Sequence, residues 1–174
     1  MRGLGQARSV GAEEAQLITA ATQRRRRALV VDDDNVVLHV LSAALEEIGV
    51  ECVHARDGRT ALRVLAEELL SIDLLVTDLM MPGLGGEALV MTVRELGGER
   101  DLPILVASAH VEPERAEALR VAGVDAVVDK GQGLDPLVAA ARELLAARGE
   151  PEAAVPAAPT PVPLFRIGLN RVRP

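Results

Sequence analysis

Two hydrophobic rhythms alternate along the chain. Short apolar runs rich in β-branched residues occur at Ala28–Val31, Val50–His54, Leu74–Thr77, Ile104–Ala107 and Ala126–Val128. Each reads as a strand, and each is followed by a segment whose apolar positions recur every three or four residues. The first such stripe is Val37, Leu41, Ala44, Leu45 and Ile48. Asp57 and Gly58 open the second, with Ala61, Leu62, Leu65 and Leu69 on one side. Helical spacing continues over Gly86–Leu96 and over Pro113–Val121, where proline sits near the first turn. The fifth helix has a start signal: Asp135 as cap, Pro136 at the first helical position, then Leu137, Ala140 and Leu144.

Five strand–helix units in succession predict an α/β domain with a doubly wound, five-stranded parallel sheet flanked by five helices. The pattern sets its limits at residues 28–148. Residues 1–27 read as a flexible basic arm, with a stub of helix around Ala12–Ala21 and an arginine run at Arg24–Arg27. For that run a solvated collar is the plainer reading, and a nucleic-acid or acidic-lipid contact the rival. Residues 149–174 are rich in Ala and Pro, which disfavours helix and sheet and predicts an extended, disordered tail. Its last stretch, LFRIGLNRVRP, reads either as an ordinary loose end or as a docking motif.

Composition narrows the picture. Of 174 residues, 49% are hydrophobic but the one aromatic is Phe165, so the core must be built from Val, Leu, Ile, Ala and Met. A net charge of −7 argues against a protein that coats nucleic acid. Cys52 is the single cysteine, able to form neither an internal disulfide nor a zinc site, and reads as a small buried hydrophobe. No apolar run reaches membrane-spanning length and no signal-peptide block opens the chain, so a cytoplasmic setting is expected.

In open parallel sheets, ligands bind outside the carboxyl ends of the strands. Four predicted strand ends carry polar groups there. The first gives Asp32, Asp33 and Asp34; the third gives Asp78, inside LLVTDLMMPGLGG. The fourth gives Ser108 in PILVASAH and the fifth Lys130 in DAVVDKGQG, whereas the second ends in Ala55 and Arg56. If strands one, three, four and five are neighbours, these groups share one pocket. Converging carboxylates repel unless a cation compensates. Mg²⁺ suits them, because it accepts one or two carboxylates while keeping waters and a phosphate oxygen. A carboxylate can also attack phosphorus, with an ammonium and a hydroxyl steadying the transferred group. Lys130 is the only lysine among nineteen basic residues, which suggests a place where a compact ammonium is required and a guanidinium would not fit.

These residues resemble the receiver domain of two-component response regulators, the chemotaxis-regulator (flavodoxin-like) fold, over about Ala28–Ala147. The resemblance rests on the strand-ending acidic pair, LLVTDLMMPGLGG, the strand-ending Ser with Ala after it, and the lysine closing the fifth strand. The spacings also fit: 45 residues from Asp33 to Asp78, 30 to Ser108 and 22 to Lys130. It implies that Asp78 is the phosphoacceptor. Asp33 is implied as a direct ligand of Mg²⁺ (or Mn²⁺), Asp32 as acting through a metal-bound water, and Met80 as a ligand through its backbone carbonyl. Ser108 matches the switch hydroxyl, Ala109 the position that keeps access open, and Lys130 the phosphate-binding lysine. Asp34 lies outside the pair and is expected to cap the first helix.

The implied donor is a sensor histidine kinase or a histidine phosphotransfer protein. Output is expected through the helix-four/strand-five/helix-five face onto a protein target, with no fused DNA-binding domain and with a homodimer left open. Such a chain assists its own phosphorylation but is not a turnover enzyme. Two departures bear on the readout: Val127 stands where receivers often carry an aromatic, and Gly131 stands where proline usually follows the lysine. A signal is therefore expected to run through the Ser108–Pro113 loop and the fourth helix.

Two rivals remain. LVVDDDNV also resembles the haloacid-dehalogenase-type phosphatases, with Asp32 as nucleophile and Asp34 as general acid. However, that family's lysine should precede the GVDAVVD acids at 123–129, and here it follows them. The other rival is a receiver-like module that binds without accepting phosphate. His39, His54 and His110 show no metal-ligand spacing, though His110 stands near enough to Ser108 to influence water access.

Overall fold

The computed structural model describes residues 24–68, 71–96, 102–109 and 111–149. Leu69, His110, Phe165, the helix stub at Ala12–Ala21 and the tail from residue 150 onward lie outside the described residues. In chain order the elements are β1 (Arg27–Val31), α1 (Asn35–Glu46), β2 (Glu51–Ala55), α2 (Gly58–Glu68), β3 (Leu74–Thr77) and α3 (Gly86–Leu96). They continue with β4 (Ile104–Ser108), α4 (Pro113–Val121), β5 (Ala126–Asp129), a 3₁₀ turn at Lys130–Gln132 and α5 (Asp135–Ala147).

The strands form one parallel sheet in the order β2-β1-β3-β4-β5. The condition raised by the sequence is therefore met, with β1, β3, β4 and β5 contiguous and β2 at the edge. Alternating side chains split the core in two. Leu29, Val31, Leu75, Ile104 and Val106 face α2, α3 and α4, where Ala61, Leu65, Leu89, Val90, Val93 and Leu119 meet them. Ala28, Val30, Leu74, Val76, Leu105 and Ala107 face α1 and α5, against Leu38, Leu41, Leu45, Leu137, Ala141 and Leu145. Nearly every residue of β1, β3 and β4 is buried, as expected for strands covered on both sides. Truncating a central leucine such as Leu29 or Leu75 to alanine is expected to cost about 2–5 kcal/mol.

Several boundaries move by one residue, for local reasons. β2 starts at Glu51 because the Val50 N–H is spent on the Leu45 carbonyl (3.2 Å), closing α1, while Glu51 N–H donates to Arg26 O at 2.8 Å. β4 and β5 run on to Ser108 and Asp129, which pair in register. Asp34 caps α1 as expected, accepting from Val36 N–H. Asp135 does not cap α5: Leu134 occupies that position without a side-chain bond, and Asp135 and Pro136 fill the first turn. Asp57 supplies the cap of α2, accepting from Thr60 N–H at 2.8 Å and Thr60 Oγ1 at 2.9 Å.

The arginine run is packed against the fold. Arg24 donates through both guanidinium nitrogens to Asp73, at 2.7 and 2.8 Å, and Arg27 N–H reaches the same carboxylate at 2.9 Å. The Arg27 side chain spans Glu51, Glu68 and Ser71. Its hydrogen bond to Glu68 outweighs partial burial and raises its pKa above the ordinary value.

Candidate functional site

The site grows out of strand register. Val31 and Thr77 are the last partners of β1 and β3. Beyond them, Asp32 N–H donates to Ala55 O at 3.2 Å and Asp78 N–H to Val31 O at 2.9 Å, so both carboxylates emerge side by side from the ladder. Both residues are buried, at 2% and 7% exposure. On the far side of β4, the pairing of Ser108 with Asp129 places Lys130 one step past the end of β5. Asp129 accepts from Gly131 N–H at 2.7 Å, folding the 3₁₀ turn that begins at Lys130.

The Lys130 ammonium reaches back across the sheet and donates to Asp32 Oδ2 at 2.5 Å and Asp78 Oδ1 at 2.8 Å. Burial alone would pull its pKa down, but the hydrogen bonds to Asp32 and Asp78 and the charges behind them win, so the pKa is raised above the usual lysine value. The second oxygens are also placed: Asp32 Oδ1 accepts from Asp34 N–H at 3.0 Å, and Asp78 Oδ2 from Met80 N–H at 2.6 Å.

Glycine makes the turn after Asp78 close-packed. A Cβ at Gly86 would overlap the Asp78 carbonyl oxygen, and Gly86 N–H instead donates to Leu79 O at 3.1 Å. The PGLGG stretch thus lets α3 start directly under the acidic residue. Met80 is 69% exposed, and its backbone N–H is what meets Asp78.

Ser108 is buried at the end of β4, and Ala109 beside it is exposed. Val127 is half-buried, pairs with Val106 and packs on the α2/α3/α4 side of the core. Asp33 diverges from Asp32. Its residue is exposed, and it lines an open cavity of about 740 Å³ with Arg56, Asp57, Arg59, Pro82, Gly83 and Leu84. Sequence reasoning passed over Arg56 because β2 ended without a carboxylate, hydroxyl or lysine. The two described histidines are apart from the site: His39 Nδ1 lies 2.6 Å from Asn35 O, His54 Nε2 lies 2.7 Å from Ser42 Oγ, and their rings meet edge-on at 5.7 Å.

Residues 28–142 match the family described as the response regulator receiver domain. The chain belongs to that family. Similar proteins include the sensor histidine kinase RcsC of Salmonella typhi, 32% identical over 98 residues, which are 56% of this chain and 10% of that protein. Protein-glutamate methylesterase/protein-glutamine glutaminase 5 of Myxococcus xanthus is 42% identical over 103 residues, 57% of this chain and 27% of that protein. The receiver thus spans a tenth to a quarter of these larger relatives. Among solved structures, a putative response regulator from Chloroflexus aurantiacus has a TM-score of 0.65 at 30% identity, covering 71% of this chain and 99% of that one. The Francisella response regulator 1452 receiver domain has the same TM-score at 27% identity, covering 71% and 98%.

Membership carries the phosphoacceptor role of two-component signalling. Receivers as a class bind Mg²⁺ at their acidic pocket and partner with histidine kinases. Among the described residues, no helix is long and apolar enough to cross a membrane.

Proposed function

We propose that Asp78 accepts a phosphoryl group from a phosphohistidine on a sensor kinase or phosphotransfer protein. The observation that carries this reading is the single ammonium of Lys130 shared between two buried carboxylates from different strands. That arrangement gathers a nucleophile and a phosphate-binding cation within one hydrogen bond of each other.

The donor set suits Mg²⁺. Among the described residues, no three Asp, Glu, His or Cys side chains form a ready-made cage. Mg²⁺ does not need one, since one or two carboxylates with waters and a phosphate oxygen complete its shell. Asp32 and Asp78 already converge on one cation, Lys130, so hard oxygen donors for a second lie at hand. Asp32, Asp33, Asp78 and the Met80 carbonyl would hold Mg²⁺ or Mn²⁺, which supplies charge to offset the carboxylates and the phosphoryl oxygens.

The chain's own residues do the rest. Asp78 Oδ1 is freed for attack when the Lys130 ammonium turns from it to an incoming phosphoryl oxygen. Met80 N–H fixes the other Asp78 oxygen and so sets the plane of the carboxylate. Ser108 offers a hydroxyl at the neighbouring strand end, and Ala109 leaves the approach uncovered. Once phosphorylated, Asp78 no longer offers Lys130 the same partner, and the change is passed to the segment after Ser108 and to α4. Two features support that route. Of the nine residues of α4 only Leu119 is buried, and Arg115 of α4 pairs with Glu87 of α3 at 2.8 Å on the surface. Val127, held in the core, has no ring to swing. A cytoplasmic setting and a protein target on the α4–β5–α5 face complete the proposal.

Incubation with a small acyl phosphate and Mg²⁺ should add one phosphoryl group by intact mass, and Asp78→Ala should abolish the gain. A gain that persists in Asp78→Ala but disappears in Asp32→Asn would transfer the chemistry to the first strand, as in the phosphatase rival.

A further inference from the structure

Beside the phosphoacceptor pocket, and sharing only Asp33 with the residues assigned to it, lies the cavity of about 740 Å³ between the ends of β1 and β2 and the β3–α3 loop. It is a cleft open to solvent, with room for an organic body beside a phosphoryl group. Two guanidiniums line it, Arg56 and Arg59.

Neither has a hydrogen-bond or ion-pair partner among the described residues. In this they differ from Arg24, Arg27, Arg94 and Arg115, which are each taken by a carboxylate. Asp57 lines the cavity as well: both its oxygens accept from Thr60 to cap α2, and these bonds lower its pKa and keep it anionic. Asp33 is the second carboxylate of the lining, so two acids stand against the two arginines. Pro82 and Leu84 add an apolar wall beside these charges.

We propose that this cavity is a binding site for a small phosphomonoester, its dianionic phosphate held by Arg56 and Arg59 and its organic body against Pro82 and Leu84. Guanidinium forks match phosphate geometry and make charge-assisted hydrogen bonds about twice as strong as neutral ones. Two of them suit two negative charges. The site does not depend on phosphorylation of Asp78, and its neighbour Asp33 opposes the anion by repulsion, which gives the test a second sign.

The test is a titration of the full chain carrying Asp78→Asn, without divalent metal, with phenyl phosphate as the probe. NMR is expected to show saturable shifts of the Arg56 and Arg59 Nε–H signals and of the Gly83 and Leu84 amides. The Arg56→Ala/Arg59→Ala pair should weaken binding about tenfold or more, the loss expected for charge-assisted bonds. Single Arg56→Gln and Arg59→Gln variants, which keep length and polarity, should each weaken it in part. Asp33→Asn should tighten binding, while Lys130→Ala should leave it unchanged. Shifts centred on Lys130 and lost in Lys130→Ala would overturn the proposal, because the anion would then sit in the phosphoacceptor pocket. Equal response to uncharged phenol, or unchanged affinity in the double arginine variant, would overturn it as well.

Discussion

Where the strands begin, Asp73 is 2% exposed and holds its charge against the two-pronged guanidinium of Arg24, with Arg27 N–H closing the same carboxylate. Where the strands finish, Asp32 and Asp78 are just as deep but share the one ammonium of Lys130. The first carboxylate is saturated by a planar, permanently charged fork. The second pair is under-supplied, with two negative charges held by a point charge on a rotatable stem. A half-buried acid has no cation at all: the Cys52 thiol, pushed up to about 11 chiefly by burial, with Glu46 and Glu51 adding to the rise and the Ser42 side chain opposing it. All three sites are shielded from water, wholly or in part, and the counter-cation decides whether the group is fixed, available or neutral.

Exchanging the cation type should break the contrast most severely. Lys130→Arg puts a fork where a point charge works, and phosphorylation of Asp78 by a small donor should slow about 100-fold or more, the usual cost of losing one oxyanion-stabilising donor. Initial rates of mass gain would measure it, and a rate near the parent's would show that any cation serves. At the opposite end, Asp73→Ala should cost about 3 kcal/mol in chemical denaturation, because Arg24 and the Arg27 N–H lose a buried partner. Phosphorylation of the surviving folded protein should be nearly unaffected. Asp78→Asn is the mirror image: it ends the chemistry while holding or raising stability, since it relieves repulsion between Asp32 and Asp78.

Smaller effects sharpen the rest. The folded thiol of Cys52 binds its proton more tightly than the unfolded one, whose pKa is about 8.5. Folded stability should therefore be complete below that value and decline as pH rises from there toward about 11, with the decline reduced in Cys52→Ala. Alkylation of the native thiol at mildly alkaline pH should lag well behind that of the denatured chain. Least of all, Asp34→Ala should remove about 1 kcal/mol of stability as a lost cap yet leave the phosphorylation rate intact. A large rate loss there would place Asp34 inside the site after all.

Much of this was legible from the sequence, and the reasons are specific. Asp32, Asp78, Ser108 and Lys130 each interrupt an apolar run where a parallel strand must end, so their convergence needed only the strand order. Asp34 followed from its place one residue before a helical stripe. Asp73 was not legible. It stands just outside the third apolar run, and its partner Arg24 lies 49 positions earlier, in a run whose composition suggested solvent. Nothing local announces a contact between residues so far apart in sequence. Arg56 and Arg59 escaped for a different cause, since a cavity formed by three separate loops has no linear signature. The one-residue shifts at β2 and α5 came from backbone hydrogen bonds that periodicity does not encode.

The clamp at Asp73 has a wider consequence. Arg24 grips its carboxylate, Arg148 donates to its carbonyl at 3.1 Å, and Arg26 donates to Gly149 O. The strand that leads into the fold and the helix that leads out of it are thereby fastened to one another at a single pole, across the sheet from the phosphoryl chemistry. The two ends of the described fold, Arg24 and Gly149, thus lie together at that pole. Within the described residues, the points where the chain enters and leaves the fold are remote from the face bearing Asp78.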